Sequence, residues 1–404
     1  MNVLTDEKKI DEALERSVAN ILPSKEALKK ILLTGKRLRF YIGADPTGPD
    51  LHLGHATNFI LLERMRKLGH EIIVLFGDFT ARIGDPTDKD AARKALTEEE
   101  IEENIKTWKK QVGKVLHLDD KENPAVIKKN SVWLSKLSPE EILKLAAHVT
   151  VQRMIERDMF ERRLIAHKPI YLHEFFYPLL QGYDSVAMDV DVEVGGTDQT
   201  FNMLVGRDLQ KTYNNKEKFV ITTPLLEDPR TGKKLMSKSE GGYVALNDAP
   251  QDMYGKVMAL PDEVVVSVLE HSTLASISNV RKMEKDFSHP ENRRDLKMLL
   301  AREVVKTYHG EKDAIEAEAF FVATFQKKDT PREAPQTTAS SGELLVDVLL
   351  REGTVASKTE FRRLVKEGAV TDLDQAHLIE DEKHVITKPT TFKIGKRRFL
   401  RVLL

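Results

Sequence analysis

Two histidines three residues apart, in His52-Leu53-Gly54-His55, stand upstream of a short polar run, Met236-Ser237-Lys238-Ser239. Each stretch alone is ordinary. A His pair at this spacing also suits a solvated helix face or half a metal site, and Ser-Lys-Ser suits any exposed loop. Together they offer two halves of a clamp for a nucleoside triphosphate. The first follows an apolar strand-like run, Phe40-Tyr41-Ile42-Gly43, and a tight loop, Asp45-Pro46-Thr47-Gly48-Pro49, then opens a helix ending near Gly69. Residues three apart share a helical face, and a helix N-terminus already favours anions. Imidazole N–H groups there can bond phosphate oxygens as charge forms on them. The second run offers an ammonium, hydroxyls and backbone amides to the same phosphates.

Three further groups carry chemistry. The loop after a second strand, Glu71 to Phe76, holds Thr80, Asp85, Lys89 and Arg93, whose two cations are spaced to reach a pyrophosphate. Tyr177, Gln181 and Asp184 share one helical face beside apolar Leu179 and Leu180. A phenol, an amide and a carboxylate on a largely apolar helix are costly to bury without partners, so they suggest a small ligand with both an ammonium and a hydroxyl. A solvent-facing stripe is the alternative. Gly195-Gly196-Thr197-Asp198-Gln199 joins a strand to a helix; its glycines admit a ligand to the backbone, and Asp198 can accept from ribose hydroxyls. No G-x-x-x-x-G-K-[ST] or G-x-G-x-x-G motif is present, and no Ser-His-Asp grouping stands out. Phosphate donors without a protein nucleophile suit a reaction in which the substrate's own carboxylate attacks an α-phosphate, needing positioning and charge stabilisation rather than a general base.

The elements that must position these groups alternate. Strands near 38–43, 71–76, 190–194 and 219–222 are separated by helices near 53–68, 178–188 and from 198, the rhythm of a Rossmann-like doubly wound parallel sheet in an α/β catalytic domain, 1–245. The loops singled out all follow strands, where such sheets bind ligands. Residues 1–37 read as a charged helix pair, and 97–168 as a helical insertion whose stripe Ile101, Ile105, Trp108, Val112 and Leu116 packs within the chain or against a second copy. An α-helical domain, 246–328, and a linker, 329–341, precede a small α+β module, 342–404. There Arg362, Arg363 and Lys366 form a candidate basic patch for a phosphate backbone, with a solvated surface as the alternative.

Composition sets outer limits. With 404 residues, 41 % hydrophobic and 31 % charged, the chain suits two or three globular domains. A net charge of −1 gives no global attraction for nucleic acid, so such contacts must be local. The absence of cysteine excludes a thiol nucleophile, disulfides and thiolate metal sites. The charged first residues do not suit a secretory signal, and no apolar run suits a membrane span, so a cytoplasmic enzyme is the expectation.

Taken together, these motifs closely resemble class I aminoacyl-tRNA synthetases, in particular the bacterial tyrosyl-tRNA synthetases. His52-Leu53-Gly54-His55 resembles the HIGH signature, and Leu235-Met236-Ser237-Lys238-Ser239 resembles KMSKS with its first lysine replaced. Tyr41-Ile42-Gly43-Ala44-Asp45-Pro46-Thr47, Tyr177-Pro178-Leu179-Leu180-Gln181-Gly182-Tyr183-Asp184 and Gly195-Gly196-Thr197-Asp198-Gln199 resemble the tyrosyl enzymes' first strand and loop, amino-acid helix and adenylate loop. The tail, with Ser357-Lys358-Thr359-Glu360-Phe361-Arg362-Arg363-Leu364, resembles an RNA-binding module shared with a ribosomal protein. The resemblance implies a tyrosine–tRNA ligase acting on L-tyrosine, ATP and tRNA, with Mg²⁺ accompanying ATP, an anticodon-binding role for 246–328, and a homodimer. By the same resemblance Tyr41 and Asp184 hold the tyrosine hydroxyl, while Asp85, Tyr177 and Gln181 hold its ammonium, with Thr80 nearby and Gln199 close to its carbonyl. Gly43, Asp45, His52, His55, Gly196, Asp198 and Lys238 surround ATP, and Thr47, Lys89, Arg93 and Lys238 stabilise the reacting phosphates. Leu235 leaves Lys234 or Lys233 to supply the missing cation. A site built to bond a hydroxyl rejects the analogue lacking it by roughly 10⁵-fold, the tyrosyl enzyme being the standard example of that rule and the source of the figure. The rival readings are a tryptophanyl enzyme, a small nucleotidyltransferase and a non-catalytic RNA-binding relative.

Overall fold

The computed structural model describes residues 2–87, 96–232, 234–236, 243–287, 289, 292–326, 334–374, 377–379, 381–395 and 398–404, with backbone only at Asp158, Phe325 and Gln326. It divides into two compact units, Met1–Ala314 and Ile315–Leu404.

The first unit is built on a six-stranded sheet of β1 (Asn20–Leu22), β2 (Arg39–Ala44), β3 (Glu71–Phe76), β4 (Val126–Lys129), β5 (Val192–Gly196) and β6 (Phe219–Thr223), in the order β1-β6-β5-β2-β3-β4. All pairings are parallel except β1 with β6. Central strands covered on both faces must be apolar throughout. Five of the six residues of β3 and all of β6 are buried. The helix Leu53–Lys67 carries the crossover from β2 to β3 and is buried at eleven of its positions, as a crossover sandwiched between sheet and outer helices requires. Successive strands run outward in opposite directions from β2 and β5. Their carboxyl ends therefore flank a switch point, where the chain leaves the sheet and opens a crevice. This is the Rossmann-like α/β architecture the strand–helix rhythm predicts.

Two strands correct the sequence reading. Within 1–37, β1 separates the helices Glu7–Glu15 and Lys25–Leu32 and closes one edge of the sheet against β6. Within 97–168, expected to be helical, β4 adds the opposite edge beside β3. Both are short or mixed in polarity, as edge strands are. The apolar stripe of helix Glu98–Val112 packs within the chain, with Ile101, Ile105, Trp108 and Val112 buried. Its capping box, Thr97 with Glu100, forms as the spacing predicts.

Residues beyond Ala249 form the helices Pro250–Met258, Val265–Ser272, Ile277–Phe287, Arg293–His309 and Glu311–Phe321. Within the first unit, Ser272 Oγ of this bundle donates to the Leu53 carbonyl at 3.4 Å, and Tyr308 Oη donates to the Ser272 carbonyl at 2.6 Å. Arg16 Nη1 donates to the Ala275 carbonyl at 2.6 Å from the other side.

The second unit has its own core, including Leu349, Phe361, Phe392, Ile394 and Leu400. Its main sheet runs β10 (His377–Leu378), β9 (Val370–Asp372), β12 (Thr390–Ile394), β13 (Arg398–Leu403) and β7 (Gln336–Thr338), and β11 (Val385–Ile386) pairs with β8 (Glu343–Leu344). The expected linker 329–341 therefore ends earlier, because β7 is a strand of this sheet, parallel to β13. Helices Leu345–Arg351 and Lys358–Lys366 pack on it. Arg362, Arg363 and Lys366 are exposed on the second helix. Arg362 reaches Glu382 at 3.1 Å. Among the described residues no helix is long and apolar enough to cross a membrane.

Candidate active site

A cavity of about 360 Å³ opens at the carboxyl ends of β2 and β5. Gly43, Asp45, Thr47, His52, His55, Thr80, Asp85, Tyr177, Gln181, Asp184, Gly196, Asp198 and Gln199 all line it. Lys89, Arg93 and Lys238 lie outside the described residues.

His52 caps the helix Leu53–Lys67, and its backbone N–H donates to His55 Nδ1 at 3.2 Å. A neutral imidazole accepting at Nδ1 carries its proton at Nε2. His55 therefore keeps a donor on the far side of the ring. The two rings lie 3.9 Å apart between centroids. The loop before them is held by one face of helix Glu98–Val112: Asn104 donates to the Pro46 carbonyl at 2.8 Å, Trp108 Nε1 to the Gly48 carbonyl at 2.7 Å and Gln111 Nε2 to the Pro49 carbonyl at 2.8 Å. Of the stripe that left dimerisation open, Trp108 thus holds the loop that precedes the two histidines.

At the other end sits Asp184, only 3 % exposed. Its carboxylate accepts from Trp133 Nε1 at 2.7 Å and from Asn130 Nδ2 at 3.2 Å. Burial pushes this carboxyl well above its ordinary 3.8, and the two donors only partly pull it back. A third donor, such as a ligand hydroxyl, favours the ionised form further. Asp45 accepts from Thr80 Oγ1 at 2.7 Å and from Tyr177 Oη at 3.0 Å. Gly77 makes this approach possible, since a Cβ there would lie 2.0 Å from Asp45 Oδ1 and 2.3 Å from Thr80 Oγ1. Burial and the nearby Asp45 and Asp85 hold the Tyr177 phenol well above its ordinary 10.0, so it stays a donor to Asp45. Lys234 also lines the cavity, with Nζ 2.9 Å from Asp198 Oδ2.

Tyr41 differs from expectation. It is fully buried among Ile73, Leu75, Met188 and Val190, does not line the cavity, and places its hydroxyl 2.8 Å from Ser185 Oγ. Tyr41 and Gly43 share one face of β2, but Gly43 lies at the strand's open end on the cavity while Tyr41 sits deeper in the sheet. Four polar residues around the site escaped sequence reading: Asn130, Trp133, Asn202 and Lys218. The first two follow β4, the strand that the reading of 97–168 missed.

Paired imidazoles at a helix N-terminus and a Gly-Gly-Thr-Asp-Gln loop at the switch point of a parallel sheet line one cavity, the arrangement expected from the resemblance to class I aminoacyl-tRNA synthetases. The family model described as tRNA synthetases class I (W and Y) matches residues 33–326. A tyrosine–tRNA ligase of Carboxydothermus hydrogenoformans is 44 % identical, covering 97 % of each chain. That of Thermotoga maritima is 41 % identical, covering 99 % of this chain and 98 % of its own. A C-terminally truncated mitochondrial tyrosyl-tRNA synthetase of Coccidioides posadasii superposes with a TM-score of 0.63 at 26 % identity, covering 78 % of this chain and 90 % of its own. This chain belongs to the tyrosyl branch of that family, the bacterial tyrosyl-tRNA synthetases.

Proposed function

We infer that the chain is a tyrosine–tRNA ligase. It joins tyrosine to ATP as tyrosyl-adenylate with release of pyrophosphate, then transfers tyrosine to the terminal ribose of tRNA with release of AMP. The observation that carries this reading is one cavity holding the buried Asp184 at one end and the His52–His55 pair at the other.

In this reading Asp184, ionised and fixed by Trp133 and Asn130, accepts the phenol proton of tyrosine. Tyr41 acts from behind, its hydroxyl tied to Ser185. Asp85, Tyr177 and Gln181 receive the ammonium, and Thr80 holds Asp45 in line. The tyrosine carboxylate is then aimed at the α-phosphate, which suits a reaction driven by orientation and charge stabilisation. Gly43, Asp45, Gly196 and Asp198 hold the nucleoside, and Gln199 stands by the amino-acid carbonyl. His52, His55, Thr47, Lys89, Arg93 and Lys238 meet the phosphates. Mg²⁺ is assigned to the phosphates of incoming ATP.

Pyrophosphate exchange measured with all twenty amino acids tests the reading. Exchange with tyrosine above every other amino acid is expected; equal or greater exchange with tryptophan overturns it.

Lys234 takes part of the role left by Leu235, supported by its position on the cavity wall beside Asp198. Lys234→Ala is expected to slow adenylate formation roughly tenfold, about the worth of one charge-assisted contact, while leaving the KM for tyrosine unchanged. Stopped-flow single-turnover kinetics measure this, and an unchanged rate removes Lys234 from the reaction.

Residues 246–328 are assigned to the anticodon arm and the module 342–404 to tRNA, through Arg362, Arg363 and Lys366. A homodimer is supported by exposed apolar residues of the insertion, Leu143, Val151 and Ile165, and by Leu172 just after it, which are 71, 61, 73 and 73 % exposed. Solvent does not favour such a concentration. Light scattering is expected to give twice the chain mass, and Ile165→Lys to shift it towards the monomer.

A further inference from the structure

Behind the cavity, side-chain amides form a directed chain of hydrogen bonds. Gln181 Nε2 donates to Glu193 Oε1 at 3.2 Å, and Gln181 Oε1 accepts from Asn202 Nδ2 at 2.9 Å. The same Asn202 nitrogen donates to Gln199 Oε1 at 3.1 Å, and Gln199 Nε2 donates to Asp85 Oδ2 at 2.8 Å. Amide orientations follow from their partners, and both ends of this chain are carboxylates, which only accept when ionised. Each glutamine must therefore turn its NH₂ to a carboxylate and its carbonyl to Asn202. Asn202 must give both N–H groups to two carbonyls. Any flip sets like against like.

Asn202 bears the mark of that duty. It is fully buried, and its Oδ1 has no hydrogen-bond partner. A buried carbonyl without a donor is a cost, so the residue is held for its N–H groups.

The Glu193 end is built in. Lys218 is fully buried, pairs with Glu193, and donates to Ser185 Oγ at 2.9 Å. Gly206 makes the space: a Cβ there would lie 2.5 Å from Lys218 Nζ and 3.3 Å from Glu193 Oε2. Buried pairs add little stability over apolar packing. What this one supplies is a permanent acceptor behind Gln181.

We propose that Asn202, working against the Glu193–Lys218 pair, is a positioning residue for recognition of the amino acid's α-ammonium. It holds the Gln181 carbonyl so that a lone pair, and not an N–H, faces the bound ammonium. The proposal rests on the tyrosine reading and deepens its amino-acid site.

Asn202→Leu keeps the approximate volume and removes both donors. Pyrophosphate exchange is measured with tyrosine and with 3-(4-hydroxyphenyl)propionate, the amine-free analogue, as competitive inhibitor. The KM for tyrosine is expected to rise roughly ten- to a hundredfold, the worth of one charged hydrogen bond. The inhibitor's Ki and the KM for ATP are expected to change by less than about threefold, the span of a substitution touching neither group. The double variant Glu193→Gln with Lys218→Met removes both buried charges together and is expected to narrow the tyrosine-to-analogue ratio in the same direction. Equal weakening of tyrosine and analogue, or no change in either variant, overturns the proposal. A wild-type chain inactive with tyrosine but active with another amino acid overturns the tyrosine reading, and this proposal with it.

Discussion

Asp184→Asn lowers kcat/KM for tyrosine activation by roughly a hundred- to a thousandfold and removes most of the discrimination against phenylalanine. The reason is local. The Asp184 oxygens already accept from Trp133 and Asn130, and both remain acceptors towards a third donor. An asparagine must turn its NH₂ towards one of these donors, leaving two N–H groups face to face in a buried place. Phenylalanine loses nothing by the change, since it brings no hydroxyl. The pH profile gives an independent reading. Burial raises the Asp184 carboxyl above its ordinary 3.8, so the acceptor form is lost as pH falls through that raised value. Tyrosine kcat/KM is therefore expected to show an acid limb above the usual carboxylate range, absent with phenylalanine and absent in Asp184→Asn. Steady-state exchange kinetics with both amino acids measure this. A variant retaining wild-type selectivity would remove Asp184 from hydroxyl recognition.

Truncation before Ala334 is expected to cut tRNA charging by roughly a hundredfold or more, the gain lost when a tethered second binding module is removed. Adenylate formation is expected to stay within about twofold, since every residue lining the cavity belongs to the first unit. The cut falls before β7 because that strand pairs with β13, and a later cut would leave an unpaired strand behind. The module removed by this cut has its own apolar core. Parallel assays of pyrophosphate exchange and tRNA acylation separate the two outcomes. Equal loss of both would mean that the tail supports the catalytic fold.

What could be read in advance was whatever lies close together along the chain. The His52–His55 pair, the 195–199 loop and the Tyr177–Asp184 face are each contained within one turn or two, and periodicity suffices to orient them. The edge strands β1 and β4 are three and four residues long. Their partners lie far away in sequence, and neither carries a strong apolar alternation. The same distance hid the polar residues behind the cavity. Nothing near Trp133 announces a carboxylate fifty-one residues on. Lys218 reads as one more cation in a charged stretch until Gly206 is seen to vacate space for it. Tyr41 shows the converse: its type and place in the motif were legible, but its depth in the sheet depended on neighbours no local pattern reveals.

Ser272 donates to the backbone carbonyl of Leu53, between the two histidines, and Tyr308 in turn donates to the carbonyl of Ser272. The turn that carries both imidazoles thus keeps a hydrogen bond to the helical bundle, outside the residues that line the cavity.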